Sequence, residues 1–385
     1  MILFDFEAPG LNDQWQMRGG GSGSRDAAES GWCLHVQPSA TSKIASLRVP
    51  ADWSRYGEVT FRARAAADTS VQIWLAAGPA RAAFWRKIEL KAGSWQDVHV
   101  PLGWFRRGDG PAPSWSAVRA FSFTFRDTTE VWLDDIAVAD GSPILTPETV
   151  AAVTGGTVTR GRHAAVVSLV PSLNGVALVA TLDSVADAVL ADLPFLKTPA
   201  VPVPLVVFSD QGSYQAGVVK LGAAFAAIAT APSDDGFTIE GIATSSWDPS
   251  QGVGRSVYVH EFVHALLTHT ASLPNGSEWL QEGLANWYQR RFFPQPSLGD
   301  VIRGRLANPL PLSRLCDGQR IETRYYGDAW TVMGTLLEDP AWSGTLSKVF
   351  DAAARTGTTS LAALGVDLDA LDRDRRAWTA RHFGW

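Results

Sequence analysis

The sequence predicts a multidomain chain: an all-β jelly-roll sandwich over residues 1–142, then an α+β part whose C-terminal half is helical. Three observations predict this. Short β-rich segments recur up to residue 138, punctuated by Gly, Pro, Asp and Ser. A Pro- and Gly-bearing stretch, DGSPILTP (140–147), then changes the character of the chain. From about residue 255 onward the apolar residues follow a helical period. Many short strands without helical periodicity indicate a sandwich, and a few strands followed by helices indicate α+β.

The strands of the first part are VTFRARA (59–65), SVQIWLAA (70–77), AFWRKIEL (83–90), WQDVHVPL (95–102), AFSFTFR (120–126) and EVWLDDIAV (130–138). Each alternates or is rich in β-formers. The GGGSGS run (19–24) reads as a loop, since glycine favours turns over strands. Residues 143–254 form the upper part of the second domain. AAVVSLV (164–170) is a strand, and LVATLDSVADAVLADL (178–193) has apolar residues at helical spacing. VPLVVFSD (203–210) reads as a buried strand, and GFTIEGIAT (236–244) as a further strand. Residues 255–385 hold the remaining helices.

Composition narrows the class. With 46% hydrophobic and 19% charged residues, the chain has enough apolar material for sizeable cores. The net charge of −6 argues against nucleic acid as the partner. No run of about 18 apolar residues predicts a membrane span. The opening MILFDFEAPG lacks the charged and apolar regions of a signal peptide. The compartment is therefore unknown, and secretion or a periplasmic location is favoured only if a leader was removed. Cys33 and Cys316 have no metal-ligand spacing and read as isolated apolar side chains.

The chemistry is concentrated in SVYVHEFVHALLTHT (256–270). His260 and His264 are four residues apart, so on a helix both imidazoles reach one metal ion, and Glu261 sits beside it to take a proton from the attacking water. Zinc needs a third protein ligand and an open position for catalysis. Glu282, in GSEWLQEGLANWYQRR (276–291), supplies it if Pro274, Asn275 and Gly276 reverse the chain between two helices. The competing reading is a buried helix with two core histidines. His269 lies near the helix end and reads as an ordinary helix-end residue.

HEFVH followed by WLQEGLANW resembles the gluzincin branch of zinc metallopeptidases, particularly bacterial members whose second motif reads W-L-x-E-G-L-A. The resemblance implies a zincin-like domain, a Zn2+ cofactor and hydrolysis of peptide bonds in a protein or glycoprotein substrate. No G-x-M-E-N-type segment precedes the motif, which points to endopeptidase rather than aminopeptidase action. The resemblance also implies that Tyr326, in RYYGDAWTVMGTLLED (324–339), donates to the oxyanion, with Tyr325 as the neighbouring alternative. Asn286, one turn after Glu282, is the expected partner for a ligating histidine. Gly241, Ile242 and Ala243 are expected on an edge strand that binds the substrate backbone. Trp247, Trp287 and Trp330 are expected near the cleft, against a sugar or in the core.

FDFEAPG and VWLDDIAV resemble the ends of galactose-binding-like jelly rolls, which are common among carbohydrate-binding modules. This implies a glycan ligand and a possible Ca2+ held by Glu7 with Asp134 or Asp135; the alternative is surface acids flanking strands. Nine of the 16 tryptophans precede residue 142. Trp74 and Trp132 read as core, while Trp104 and Trp115, in a loop-like stretch, are the better candidates for stacking on sugars. The rival reading of the whole chain is a non-catalytic carbohydrate- or protein-binding protein on a degenerate peptidase scaffold.

Overall fold

The computed structural model describes residues 1–385 except 8–14, 29–30, 103–104, 108–112, 141–144, 227–231, 240, 272, 274–277, 307, 357 and 385. The side chains of 106, 107, 223, 226 and 354–356 also lie outside the description. The chain divides into two compact units, Met1–Ile144 and Leu145–Trp385.

The first unit holds β1 (Ile2–Phe4), β2 (Gln16–Arg18), β3 (Gly21–Ala27), β4 (Trp32–Pro38), β5 (Ser42–Ser46) and β6 (Glu58–Ala65). It continues with β7 (Thr69–Ala77), β8 (Ala83–Leu90), β9 (Gln96–Pro101), β10 (Arg106–Arg107), β11 (Val118–Phe125) and β12 (Val131–Ala139). One six-stranded sheet runs β3-β4-β12-β6-β9, with β1 also paired to β12; the other runs β10-β8-β7-β11-β5-β2. Alternation along the strands explains the sandwich. Val71, Ile73 and Leu75 of β7 are buried while Gln72 and Trp74 between them are only half-buried. The inward faces of both sheets share one core, in which the rings of Phe61 and Phe123 sit 5.3 Å apart.

GGGSGS does not stay a loop. Gly21–Ser24 begin β3, which pairs with β4 from Gly21↔Pro38 onward. Glycine is required at the entry: Gly21 has φ +86°, and a Cβ there would lie 2.4 Å from the Gln37 carbonyl oxygen. Pairing with β4 outweighs the weak strand propensity of the run.

In the second unit, α1 (Pro147–Thr154) opens on a Thr146–Thr149 capping box. It is followed by β13 (Thr157–Arg160), β14 (Ala164–Ser168), α2 (Gly175–Asp192), β15 (Val203–Phe208), α3 (Gln211–Leu221), β16 (Gly236–Ile239) and β17 (Ile242–Ser246). The sheet order is β13-β14-β15-β17-β16. β15, with every residue buried, lies between two parallel neighbours, and the edges are antiparallel. The segment expected as a single strand is therefore a hairpin turning at Gly241, where φ is +85°.

The helices that follow are α4 (Val257–Ala271), α5 (Trp279–Phe292), α6 (Leu298–Leu306), α7 (Leu312–Leu315), α8 (Tyr326–Glu338), α9 (Thr345–Thr356) and α10 (Leu368–Phe383). The upper part, 143–254, and the helical part, 255–385, share one core: Val166, Leu205, Phe262, Leu284 and Trp378 belong to one apolar cluster. Gly283 has a packing reason, since a Cβ there would lie 3.0 Å from the Ala329 carbonyl oxygen on α8. The chain reversal expected at Pro274–Gly276 lies outside the described residues. No helix among the described residues is long and apolar enough to cross a membrane.

Candidate metal centre

α4 carries His260 and His264 one turn apart, and α5 brings Glu282 against them in its first turn. The two Nε2 atoms are 3.1 Å apart. Glu282 Oε2 lies 3.3 Å from His260 Nε2 and 3.6 Å from His264 Nε2. Ligand atoms at about 2.0–2.1 Å from a tetrahedral zinc are separated by roughly 3.3 Å, so these spacings fit one ion. Glu282 Oε2 is buried with no hydrogen-bond donor among the described residues, an acceptor whose missing partner is of the kind a cation supplies. His260, His264 and Glu282 are the one such cluster among the described residues. The donor set of two imidazoles and a carboxylate suits zinc, although the geometry itself names no metal.

Burial raises Glu282, but His264 and His260 outweigh it and hold the carboxyl well below its usual range. Burial likewise pulls His260 down, and Glu282 and Glu261 reverse that into a net rise. Both shifts describe the same attraction between buried groups.

Glu261 is buried beside the cluster, and burial raises its pKa against the opposing pull of His260 and His264. Thr238 Oγ1, on β16, lies 2.8 Å from Glu261 Oε2 and 2.9 Å from the Glu261 carbonyl oxygen, so its one proton serves either acceptor. Gly236 makes room for this contact: a Cβ there would lie 2.7 Å from Glu261 Cγ and 3.0 Å from Oε1. Tyr326, at the start of α8, lays its ring over His260 at 6.3 Å and 16°, with its hydroxyl near enough to Glu282 to feel that carboxylate's charge. Burial, then Glu282, keeps that phenol protonated. Tyr325 instead faces Arg324 and Arg305.

The partner expected for a histidine is not the one observed. Asn286 Nδ2 donates to the Glu282 carbonyl oxygen one turn back at 2.9 Å and reaches neither imidazole. Gln289 does: its Oε1 lies 3.2 Å from His260 Nδ1, and its Nε2 donates to Ser256 Oγ at 3.0 Å. Seven residues from Glu282 is two helical turns, so Gln289 returns to the same face of α5, a signal the sequence carried. His264 Nδ1 has no hydrogen-bond partner among the described residues.

Other expected residues fall elsewhere. β16, whose residues are mostly buried, is the last strand of the sheet on that side, whereas Ile242 and Ala243 are fully buried in β17, inside the sheet. Gly241 sits in the turn, where its carbonyl accepts from His269 Nε2 at 3.1 Å. Trp287 and Trp330 pack with Trp378 in the core, and Trp247 is half-buried against it.

In the first unit, Glu7, Asp134 and Asp135 do not form a three-carboxylate group among the described residues. Glu7 Oε1 accepts from the Trp32 backbone N–H at 2.8 Å, and Asp135 is exposed at φ +49°. Asp134 is buried, which pushes its pKa up to about 6. The strand alternation also corrects two tryptophans. Trp74 faces outward and stacks with Trp85 of β8 at 5.8 Å and 20°. Trp132 faces outward on β12 and stacks on His35 at 4.5 Å. Trp115 is half-buried, flat on Phe84 at 3.8 Å, while Trp104 lies outside the described residues.

No family model matches the chain, and no curated protein matches it. Among solved structures, the family 11 carbohydrate-binding module of a cellulosomal cellulase of Clostridium thermocellum is similar at 16% identity, over 36% of this chain and 93% of that chain, with a TM-score of 0.32. A family 29 carbohydrate-binding module is 14% identical over 37% of this chain and 92% of that one, with a TM-score of 0.26. An exo-β-agarase is 15% identical over 55% of this chain and 32% of that one, with a TM-score of 0.32. These are distant likenesses of fold.

Proposed function

We propose that the second unit is a zinc-dependent peptidase and that the sandwich binds carbohydrate. The observation that carries the first part is the meeting of His260, His264 and Glu282 with Glu261 and Tyr326 at one place. A zinc ion held by the three ligands would polarise a substrate carbonyl and make water a nucleophile near neutral pH. Glu261 takes a proton from the attacking water as the new C–O bond forms, and passes it to the amine as the C–N bond breaks. Thr238 holds the Glu261 carboxylate in place. The Tyr326 hydroxyl donates to the oxygen that gains charge. An extended peptide would add beside β16, the last strand of the sheet among the described residues, by strand addition.

The second reading, a carbohydrate-binding protein without catalysis, is favoured by the outward pair Trp74–Trp85 with Gln72 beside it, since aromatic faces pack against sugar rings. The two parts are compatible. A sandwich that binds sugar, tethered to a peptidase, raises the local concentration of a glycosylated protein substrate.

The test is a zinc-loaded full chain digested with one O-glycosylated protein before and after removal of its sugars, with cleavage sites mapped by mass spectrometry. Cleavage that disappears in Glu261→Gln while zinc is retained supports the peptidase. Zinc-free protein after reconstitution rejects it, and glycan binding lost on Trp74→Ala would then leave the binding protein. Equal cleavage of the bare protein rejects a glycoprotein preference.

A further inference from the structure

A cavity of about 830 Å³ opens between α5, α6, α8 and α10. Relative to Glu282, the α5 positions that line it are turned away from the metal face: Arg290 by about 80° and Trp287 by about 140°, at 100° per residue. Its walls divide by chemistry. Trp287, Trp330, Leu298, Leu337 and Phe383 give an aromatic and aliphatic side, and arginines and carboxylates give the other.

Three of the lining residues carry a buried N–H with no acceptor among the described residues: Trp287 Nε1, Trp330 Nε1 and Arg290 Nη1. All three orphans are donors. A folded chain rarely leaves such groups unpaired, and three around one cavity imply a missing acceptor. Arg290 also lacks a carboxylate among the described residues. Asp192 is held by Arg291 at 2.6 Å, Asp300 lies 3.8 Å from Arg303, and Glu338 accepts from Trp378 Nε1 at 2.9 Å. Burial alone pulls the Arg290 guanidinium down to about 10, with no neighbouring charge opposing it. The Arg290 guanidinium instead sits 5.5 Å from the Trp330 ring centre.

We propose that this cavity is a binding site for a small organic carboxylate with a ring or apolar body. The carboxylate takes the Arg290 and indole donors, and the body packs on Trp287, Trp330 and Phe383. The volume falls in the range of small-molecule sites, about 300–1,000 Å³. The same chemistry is met by an aromatic acid and by an acidic sugar. The site needs neither the metal nor Glu261, so it stands or falls apart from the proposed peptidase.

The test uses the full chain and ligand-observed NMR, with calorimetry for affinity. The probes are phenylacetate and glucuronate, each against its neutral amide or parent sugar, phenylacetamide and glucose. We expect one acid to bind and its neutral counterpart to bind at least about 10-fold more weakly, as for loss of a charge-assisted hydrogen bond. Phenylacetate alone binding assigns an aromatic acid, and glucuronate alone an acidic sugar. Arg290→Met, which keeps an unbranched apolar side chain but removes the guanidinium, should weaken the bound acid by about 10–100-fold. If that variant does not fold, Trp330→Phe removes one N–H, keeps the aromatic wall, and should weaken the acid several-fold. Neither acid binding at about 10 mM, neutral probes binding equally, or a folded variant with unchanged affinity each overturns the proposal.

Discussion

At the scale of single residues, the candidate centre depends on contacts that can be removed one at a time. Gln289 fixes the His260 ring through Nδ1, leaving Nε2 toward the ligand cluster, and outer partners of this kind are typically worth about 10–100-fold in metal affinity. Gln289→Leu should weaken zinc by about that factor in chelator competition, while Asn286→Ala should change it little. Equal effects at the two positions would place the histidine's partner wrongly. Gly236 gives the second prediction. Its Cβ would press on Glu261 Cγ without disturbing a metal ligand. Gly236→Ala should cut turnover by about 10-fold or more and leave zinc affinity unchanged, the split expected when a base is misplaced by a fraction of an ångström. Retained turnover would show that Glu261 has room to shift.

At the scale of elements, the β16–β17 hairpin is strapped to both ends of α4. Arg255 donates to the Ser246 carbonyl oxygen and pairs with Asp235 at 3.0 Å, and His269 ties the turn at Gly241. These ties keep the β16 edge beside Glu261. α5 is held at its start by Glu278, which accepts from Thr359 Oγ1 and whose pKa burial pushes up to about 8. The folded state therefore binds a proton that the unfolded state has released between pH 4.5 and about 8. Its contribution to stability is present below pH 4.5 and is lost as the pH rises through about 8, at most about 5 kcal/mol. Glu278→Gln should flatten that part of the dependence of Tm on pH, most visibly as a higher Tm than the parent at pH 8. An unchanged slope would mean that Glu278 titrates normally. On α8, buried Asp328 lies 3.5 Å from Arg375 of α10. Arg375→Ala leaves that carboxylate without its cation and should cost about 3–5 kcal/mol in denaturant unfolding.

At the scale of the whole molecule, each unit has its own core, and the three candidate ligands, Glu261, Gln289 and Tyr326 all belong to Leu145–Trp385. Residues 145–385 alone should hold zinc with the affinity of the full chain, measured by the same competition. Loss of zinc on truncation would show that the sandwich supports the site.

Much of this was legible in the chain itself. Spacing places His260 and His264 on one helix face, because 100° per residue returns to that face after four residues whatever the surroundings. Alternation marks β7, β11 and β12 as strands, because a half-buried strand imposes a period of two. The choice of Trp74 and Trp132 as core ignored that same period, which turns each outward between buried neighbours. What the sequence left open depends on which segments meet. That Gln289 reaches His260, that β16 is the edge and β17 interior, and that Glu7 is engaged by the Trp32 backbone are facts of tertiary pairing. The helical period puts Gln289 on the face of Glu282, but which imidazole that face meets leaves no trace along the chain, and a strand becomes an edge only when no neighbouring strand pairs beside it. The sequence determined which residues can share a helix face or a strand face; the packing of α5 and the β16–β17 hairpin against α4 decided which of them share a site.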